Sequence, residues 1–217
     1  MPSLRVGGVL LLIAVAPLAT APLKAQDLDP LSRLDATSRF SVERIIDSAG
    51  ALGFPTRPLM SKALEGISKH ADPRHIVEAV RRKFAALRDA RAALGKVDDE
   101  DLVAGAAVLE AGVKPDQLTA FRNPPRERSL LEAFTVWADL VTRGVPKDDA
   151  SSAITRLWKG GAADNDFYGL WNSVKADILQ GLSPGAALQN RIREFPGRAP
   201  PDKSTQSSDQ PETPSSR

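Results

Sequence analysis

The stretch Thr142-Arg143-Gly144-Val145-Pro146-Lys147 (TRGVPK) separates two segments in which apolar residues recur every three or four positions. That spacing places the apolar residues on one face of an α-helix. Glycine readily adopts the left-handed conformation that ends a helix, and proline is favoured at the start of the next helix because it has no N–H group to leave unpaired. We therefore predict that Gly144 ends one helix, that Val145 packs back onto it, and that Pro146 begins another.

The same order of residues recurs along the chain. It is found at Gly53-Phe54-Pro55, Gly112-Val113-Lys114-Pro115 and Gly181-Leu182-Ser183-Pro184, with a glycine-free relative at Ala71-Asp72-Pro73 and a proline-free one at Gly161-Ala162-Ala163-Asp164, where Asp164 is the predicted N-cap. The joints are unevenly spaced, and a short helix is expected near Leu118 and Phe121. The pattern predicts an all-α fold, a single compact array of about eight or nine short antiparallel helices built as degenerate helix-hairpin repeats.

Two terminal segments differ from this helical region in composition. Residues 1–25 begin with a cationic start at Arg5 and continue with an apolar stretch over residues 6–19, as in a secretory signal peptide, and we expect cleavage after Ala25. Residues 196–217 are rich in proline and serine and have no large aliphatic side chain, which predicts a disordered tail. The expected organisation is a signal peptide (1–25), a helical domain (26–195) and the tail (196–217).

Composition excludes several classes of protein. The chain has 217 residues and no cysteine, so it has neither a disulfide scaffold nor a thiol nucleophile. Its 29 basic and 27 acidic residues give a net charge of +2, and removal of Arg5 and Lys24 with the signal peptide leaves 27 of each. We therefore expect no nucleic-acid partner and no transmembrane segment after signal cleavage.

Charge is nevertheless unevenly distributed within the helical region. Residues 69–91 carry an excess of four positive charges, from seven basic and three acidic residues, and residues 96–116 carry an excess of four negative charges, from two basic and six acidic residues. We expect the two segments to neutralise each other across a helix hairpin; the alternative is a basic helix that faces an anionic envelope surface or partner. The acidic run from Asp98 to Asp101 is interpreted as a helix cap.

His70, Asp72 and His75 are the only grouping that resembles a metal site, and we reject it. Their spacing does not fit one helical face, and Pro73 lies between the two histidines. His70 is instead expected at the end of one helix, Asp72 at the N-cap of the next, and His75 in the first turn of that helix. No cofactor is expected.

Four aromatic residues are candidates for binding a ligand: Trp137, Trp158, Phe167 and Trp171. Each has helical core spacing, so packing in the core is one interpretation. The other is a groove lined by these rings that binds a saccharide or a peptide.

The sequence favours a function in binding over one in catalysis, because recognisable catalytic motifs are missing from it. We expect an exported, periplasmic or secreted protein that serves as a non-enzymatic interaction or scaffolding module of the bacterial cell envelope and binds a protein or peptide partner. The alternatives are an envelope carbohydrate-active enzyme that uses paired carboxylates, and a periplasmic carrier of a small ligand or metal. A scaffold predicts shallow grooves and an exposed apolar strip, whereas an enzyme predicts a deep pocket with ionisable groups of perturbed pKa.

Overall fold

The computed structural model describes residues 29–125 and 127–193, so the expected signal peptide and tail lie outside the described residues. The described part is all-helical, without a strand, as predicted. Its helices are α1 (Ala36–Ala51), α2 (Arg57–Ser68), α3 (Pro73–Leu94), α4 (Asp99–Glu110), α5 (Pro115–Leu118), α6 (Leu131–Thr142), α7 (Lys147–Lys159), α8 (Asp164–Leu179) and α9 (Pro184–Ile192), with a 3₁₀ turn at Thr119–Phe121 after α5. Over these residues, no helix combines the length and apolarity that crossing a membrane would require.

The predicted glycine joints are confirmed. At the end of α6, Gly144 has a φ of +92° and its N–H donates to the Val141 carbonyl, while the Val145 N–H donates to the Leu140 carbonyl, both at 3.0 Å. This pair of bonds satisfies the last carbonyl groups of the helix, and the buried Val145 side chain covers the end. The other joint glycines have positive φ as well and the same pair of bonds; they are Gly53, Gly112, Gly161 and Gly181.

The joint without glycine uses a histidine. His70 has a φ of +53°, and the His70 and Ala71 N–H groups donate to the carbonyls of Ile67 and Gly66. This is the bonding pattern of the glycine joints, so the chain ends α2 in the same way without the residue that usually allows it. The predicted position of His70 at a helix end is confirmed, but its left-handed conformation was not predicted.

Three predicted helix starts are wrong by one or two residues. Pro146 is the N-cap of α7 and precedes its first residue. Pro55 lies two residues before α2, which has Pro58 in its first turn instead. Asp164 is the first residue of α8 and Ala163 is the cap position, because the carboxylate of Asp166 accepts the Ala163 N–H and satisfies that group from inside the helix.

Two helices organise the packing of the others. The long helix α3 contacts α1, α2, α4 and α5, and α6 contacts α4, α7 and α8. The last helix, α9, packs on α7 and α8. The core beside α6 contains the largest fully buried side chains. They are Trp137 and Phe134 of α6 and Phe121 of the 3₁₀ turn, and their rings pack against one another.

The predicted charge neutralisation between residues 69–91 and 96–116 is confirmed at one ion pair. Lys83 Nζ of α3 lies 2.7 Å from Glu110 Oε2 of α4, and the Lys83 side chain is only 12% exposed. Arg81 and Arg82 pair with Glu78 of their own helix instead. An ion pair therefore contributes to the packing of α3 against α4, whereas Arg81 and Arg82 are neutralised by a carboxylate of their own helix.

Candidate functional site

The four candidate aromatic residues occupy different environments. Trp137, Trp158 and Phe167 are buried, while Trp171 is only partly buried. Trp137 and Trp158 both pack against Phe121, with ring centroids 5.6 and 5.7 Å away. The structure thus brings two of the four together in the core and places Trp171 at the surface.

Trp158 is covered by an arginine. The Arg128 guanidinium carbon lies 3.6 Å from the Trp158 ring centroid, and its Nη atoms donate to the carbonyls of Trp158 and Ala162 at 3.0 and 2.8 Å. Burial lowers the pKa of Arg128, and the carboxylate of Asp164 partly opposes that shift. Arg128 closes the end of α7 and covers the indole, which is only 8% exposed.

The rejected metal candidates lie around the joint between α2 and α3. Asp72 is the N-cap of α3, as predicted, and its carboxylate accepts the Arg74 N–H at 2.8 Å. His70 forms the joint described above, and His75 is exposed in the first turn of α3. Among the described residues, no group of three or more histidine, aspartate or glutamate side chains is arranged to hold a metal ion.

A cleft of about 680 Å³ lies between the start of α4 and the segment before α6. Asp98 caps α4 as predicted. Asp101 is buried there, and its Oδ1 atom accepts hydrogen bonds from Ser129 Oγ at 2.8 Å and from the Leu130 N–H at 2.7 Å. This carboxylate therefore joins the starts of α4 and α6, a role that the sequence did not reveal.

A second cluster lies on the exposed side of α8. Tyr168, Trp171, Lys175 and Leu179 follow one another at helical spacing along that side, and we call these four residues the α8 strip. Tyr168 is 54% exposed and stacks on Trp171 with ring centroids 5.6 Å apart, and Leu179 is 80% exposed. Lys175 Nζ lies 4.0 Å from the Trp171 ring centroid, within the range of a cation–π interaction.

Helix α6 fixes the indole of the α8 strip from the side. Trp171 Nε1 donates to Asp139 Oδ2, which also accepts from Arg143 Nε at 2.5 Å. Burial alone would raise the pKa of Asp139, but hydrogen bonds from Trp171 and Arg143 and the nearby positive charges outweigh it and lower the pKa. Asp139 is therefore ionised at neutral pH and holds Trp171 in one orientation.

Sequence reasoning identified Trp171 but missed Asp139, Arg143 and Lys175. The available signal was the spacing of four residues between Asp139 and Arg143 and between Trp171 and Lys175, which places each pair on one helix face. That spacing is common on solvated helices. It does not indicate that α6 and α8 are neighbours.

The arrangement supplies an exposed ring, an exposed aliphatic side chain and two cations on one surface. No protein-family model, curated protein or solved structure matches this chain. Its function therefore has to be inferred from the surface chemistry of the described residues.

Proposed function

We propose that this protein is an exported, non-enzymatic interaction module of the bacterial cell envelope that binds a partner protein or peptide through the α8 strip. The observation that carries the proposal is the exposure of Tyr168 and Leu179 on one side of α8, with Trp171 and Lys175 between them. Eleven helical steps separate Tyr168 from Leu179, so the strip extends about 16 Å, which is enough for a short peptide segment.

The composition of the strip supports binding of a protein or peptide. Tyrosine, tryptophan and arginine dominate the energetics of protein interfaces because they combine a large apolar area with a polar group. Trp171 is held by Asp139 and stacked by Tyr168, so the aromatic surface is already ordered before a partner arrives. Ordering in advance lowers the entropic cost of association.

The rest of the chain agrees with an envelope scaffold. The N-terminal residues have the features of an export signal, and the joints that recur along the helices fit degenerate helix-hairpin repeats, an architecture that presents helix faces to partners. Such an architecture gives shallow grooves between helices instead of one deep pocket. The α8 strip is the most aromatic exposed face among the described helices.

Selection of binding peptides tests the proposal. Peptides would be selected from a random-sequence display library on the mature chain, and their affinity measured for Tyr168→Ala and for Phe40→Ala. Phe40 is a matched control, because it is 60% exposed and also lies beside a cation, Arg44, but on α1. We expect Tyr168→Ala to weaken binding by about tenfold or more and Phe40→Ala to leave it unchanged.

A selection in which no peptide depends on Tyr168, or in which both variants weaken binding equally, would refute a role for the α8 strip. Circular dichroism of each variant checks that the helices are intact. Since both side chains are exposed, neither variant is expected to unfold the protein.

A further inference from the structure

We propose that the segment bound by the α8 strip is acidic, with a carboxylate of the partner pairing with Lys175 and Arg143 while a neighbouring apolar side chain covers Tyr168. This inference rests on the proposed function. The additional claims are that the partner segment is acidic and that its carboxylate lies in the C-terminal half of the strip, at Lys175.

Positive charge exceeds negative charge around Trp171. Arg143 and Lys175 lie on this surface, with the Arg143 guanidinium carbon 5.7 Å and Lys175 Nζ 4.0 Å from the ring centroid. The carboxylate that contacts the group is Asp139, and the same oxygen accepts from both Trp171 and Arg143. Two positive charges therefore face one negative charge.

Lys175 is held in position by a ring and, among the described residues, not by a carboxylate. Within residues 29–125 and 127–193, no ion pair involves this side chain, although the α3 lysine Lys83 is paired. Its ammonium group is held over the indole of Trp171 and keeps its three donors. A carboxylate that binds there gains a charge-assisted hydrogen bond to a side chain that is already positioned.

The charge on α8 changes along the helix, from negative in the first turn to positive at Lys175. Three acidic residues lie on α8. Two of them, Asp164 and Asp166, are in its first turn, and the Asp166 carboxylate accepts a hydrogen bond from the Ala163 N–H. Asp164 and Lys175 are eleven residues apart, so about 16 Å separates them along the helix, roughly twice the screening length in physiological salt. Asp177 is buried and paired with Arg191. The C-terminal half of the strip, which contains Lys175, therefore stays positive, and the partner's carboxylate belongs in that half.

Two sets of synthetic peptides test this inference on the full mature chain. Both sets carry the same leucine and proline residues, and the remaining positions are glutamate and serine in one set and glutamine and serine in the other. Fluorescence anisotropy gives the affinities. We expect the glutamate peptides to bind more tightly, and their advantage to shrink as salt is added.

Variants at position 175 locate the carboxylate. Lys175→Gln should weaken the glutamate peptides by about fivefold, the ratio that corresponds to one exposed ion pair, and should leave the glutamine peptides unchanged. Lys175→Arg keeps the charge and should bind the glutamate peptides as the unaltered protein does, whereas an equal loss for both peptide sets in Lys175→Gln would indicate a structural effect at Trp171 and overturn the inference. Lys62→Gln is the matched control, because Lys62 lies on α2 and pairs with Glu65.

The outcomes separate this inference from the proposed function. Equal affinity for both peptide sets, with binding still dependent on Tyr168, would overturn the acidic partner and leave the α8 strip as a binding surface. Binding that ignores Tyr168 would overturn both. Concentration-dependent dimerisation abolished by Tyr168→Ala would identify a second copy of this chain as the occupant and would also overturn the inference.

Discussion

Gly144 allows a direct test of the helix joints. Its φ of +92° is one that side chains with a Cβ rarely adopt, and a Cβ built there meets only Pro184 Cγ at an ordinary 3.6 Å. The cost of Gly144→Ala is therefore conformational and not a clash, and we expect it to lower the free energy of unfolding by about 1 kcal/mol. Urea denaturation followed by circular dichroism measures it.

Gly50 provides the control for that substitution. It lies inside α1, and a Cβ there approaches Thr56 Cγ2 at 3.4 Å. Alanine has a higher helix propensity than glycine, so Gly50→Ala should stabilise the protein by up to about 1 kcal/mol. The same sign for both substitutions would contradict the left-handed assignment of Gly144.

At the scale of single residues, the sequence predicted what depends on intrinsic conformational preference. All five joint glycines have the predicted backbone conformation, because glycine has a distinct reason to occupy it. His70 was correctly placed at a helix end, but its left-handed conformation was not predicted, since histidine has no intrinsic preference for it as glycine has. Arg128 was missed as well, because its partners Trp158 and Ala162 lie about thirty residues further along the chain.

Asp101, in the first turn of α4, also holds the start of α6. We expect Asp101→Ala to lower the free energy of unfolding by about 2 to 3 kcal/mol, because it leaves the Leu130 N–H and the Ser129 hydroxyl of the α6 start without their acceptor. Asp101→Asn should cost less, since it keeps an acceptor oxygen. Chemical denaturation of the purified variants gives both values.

Asp99 belongs to the same acidic run but is exposed, and it serves as the control. Asp99→Ala removes only a favourable charge at the start of α4 and should cost about 0.5 kcal/mol. A loss at Asp99 as large as that at Asp101 would show that the helix dipole, and not the contact with α6, explains the run.

The docking of α9 should depend on pH. Hydrogen bonds and charge attraction from Arg191 outweigh burial and hold the pKa of Asp177 below its usual 3.8. A lowered pKa in the folded state gives stability that is present above 3.8 and is lost as the pH falls through the folded value. We therefore expect hydrogen exchange in α9 to accelerate below about pH 4, and Asp177→Asn to remove this dependence. An unchanged acid dependence in Asp177→Asn would assign the effect to another carboxylate.

The existence of the helices was predictable from the sequence, but the neighbours of each helix were not. The period of apolar residues gives one buried face per helix and gives the lengths between joints. The link from Asp139 on α6 to Trp171 on α8 spans 32 residues, and no local pattern shows that these two faces meet. The candidate site was therefore predicted only at Trp171, because the rest of the site depends on tertiary packing.

At the scale of the whole molecule, the export prediction concerns the N-terminus of the mature chain. If the signal peptide is cleaved after Ala25, mass spectrometry of protein from the envelope fraction should find Gln26 as the first residue, whereas protein from the cytosol should begin at Met1. Ala25→Arg places a large charged residue at the cleavage point and should leave the precursor uncut. Intact precursor as the major species in the envelope fraction would contradict the prediction.

The order of the helices along the chain also has a kinetic consequence. Several of the closely packed pairs, such as α2 with α3, α3 with α4 and α8 with α9, are neighbours in sequence, and others, such as α1 with α3 and α6 with α8, have one helix between them. Contacts of such short separation need little loop closure, so we expect the helical region to refold rapidly. A chain that folds this quickly becomes too bulky for a translocation channel soon after synthesis, so its passage across a membrane would have to accompany translation or depend on a chaperone that keeps it extended.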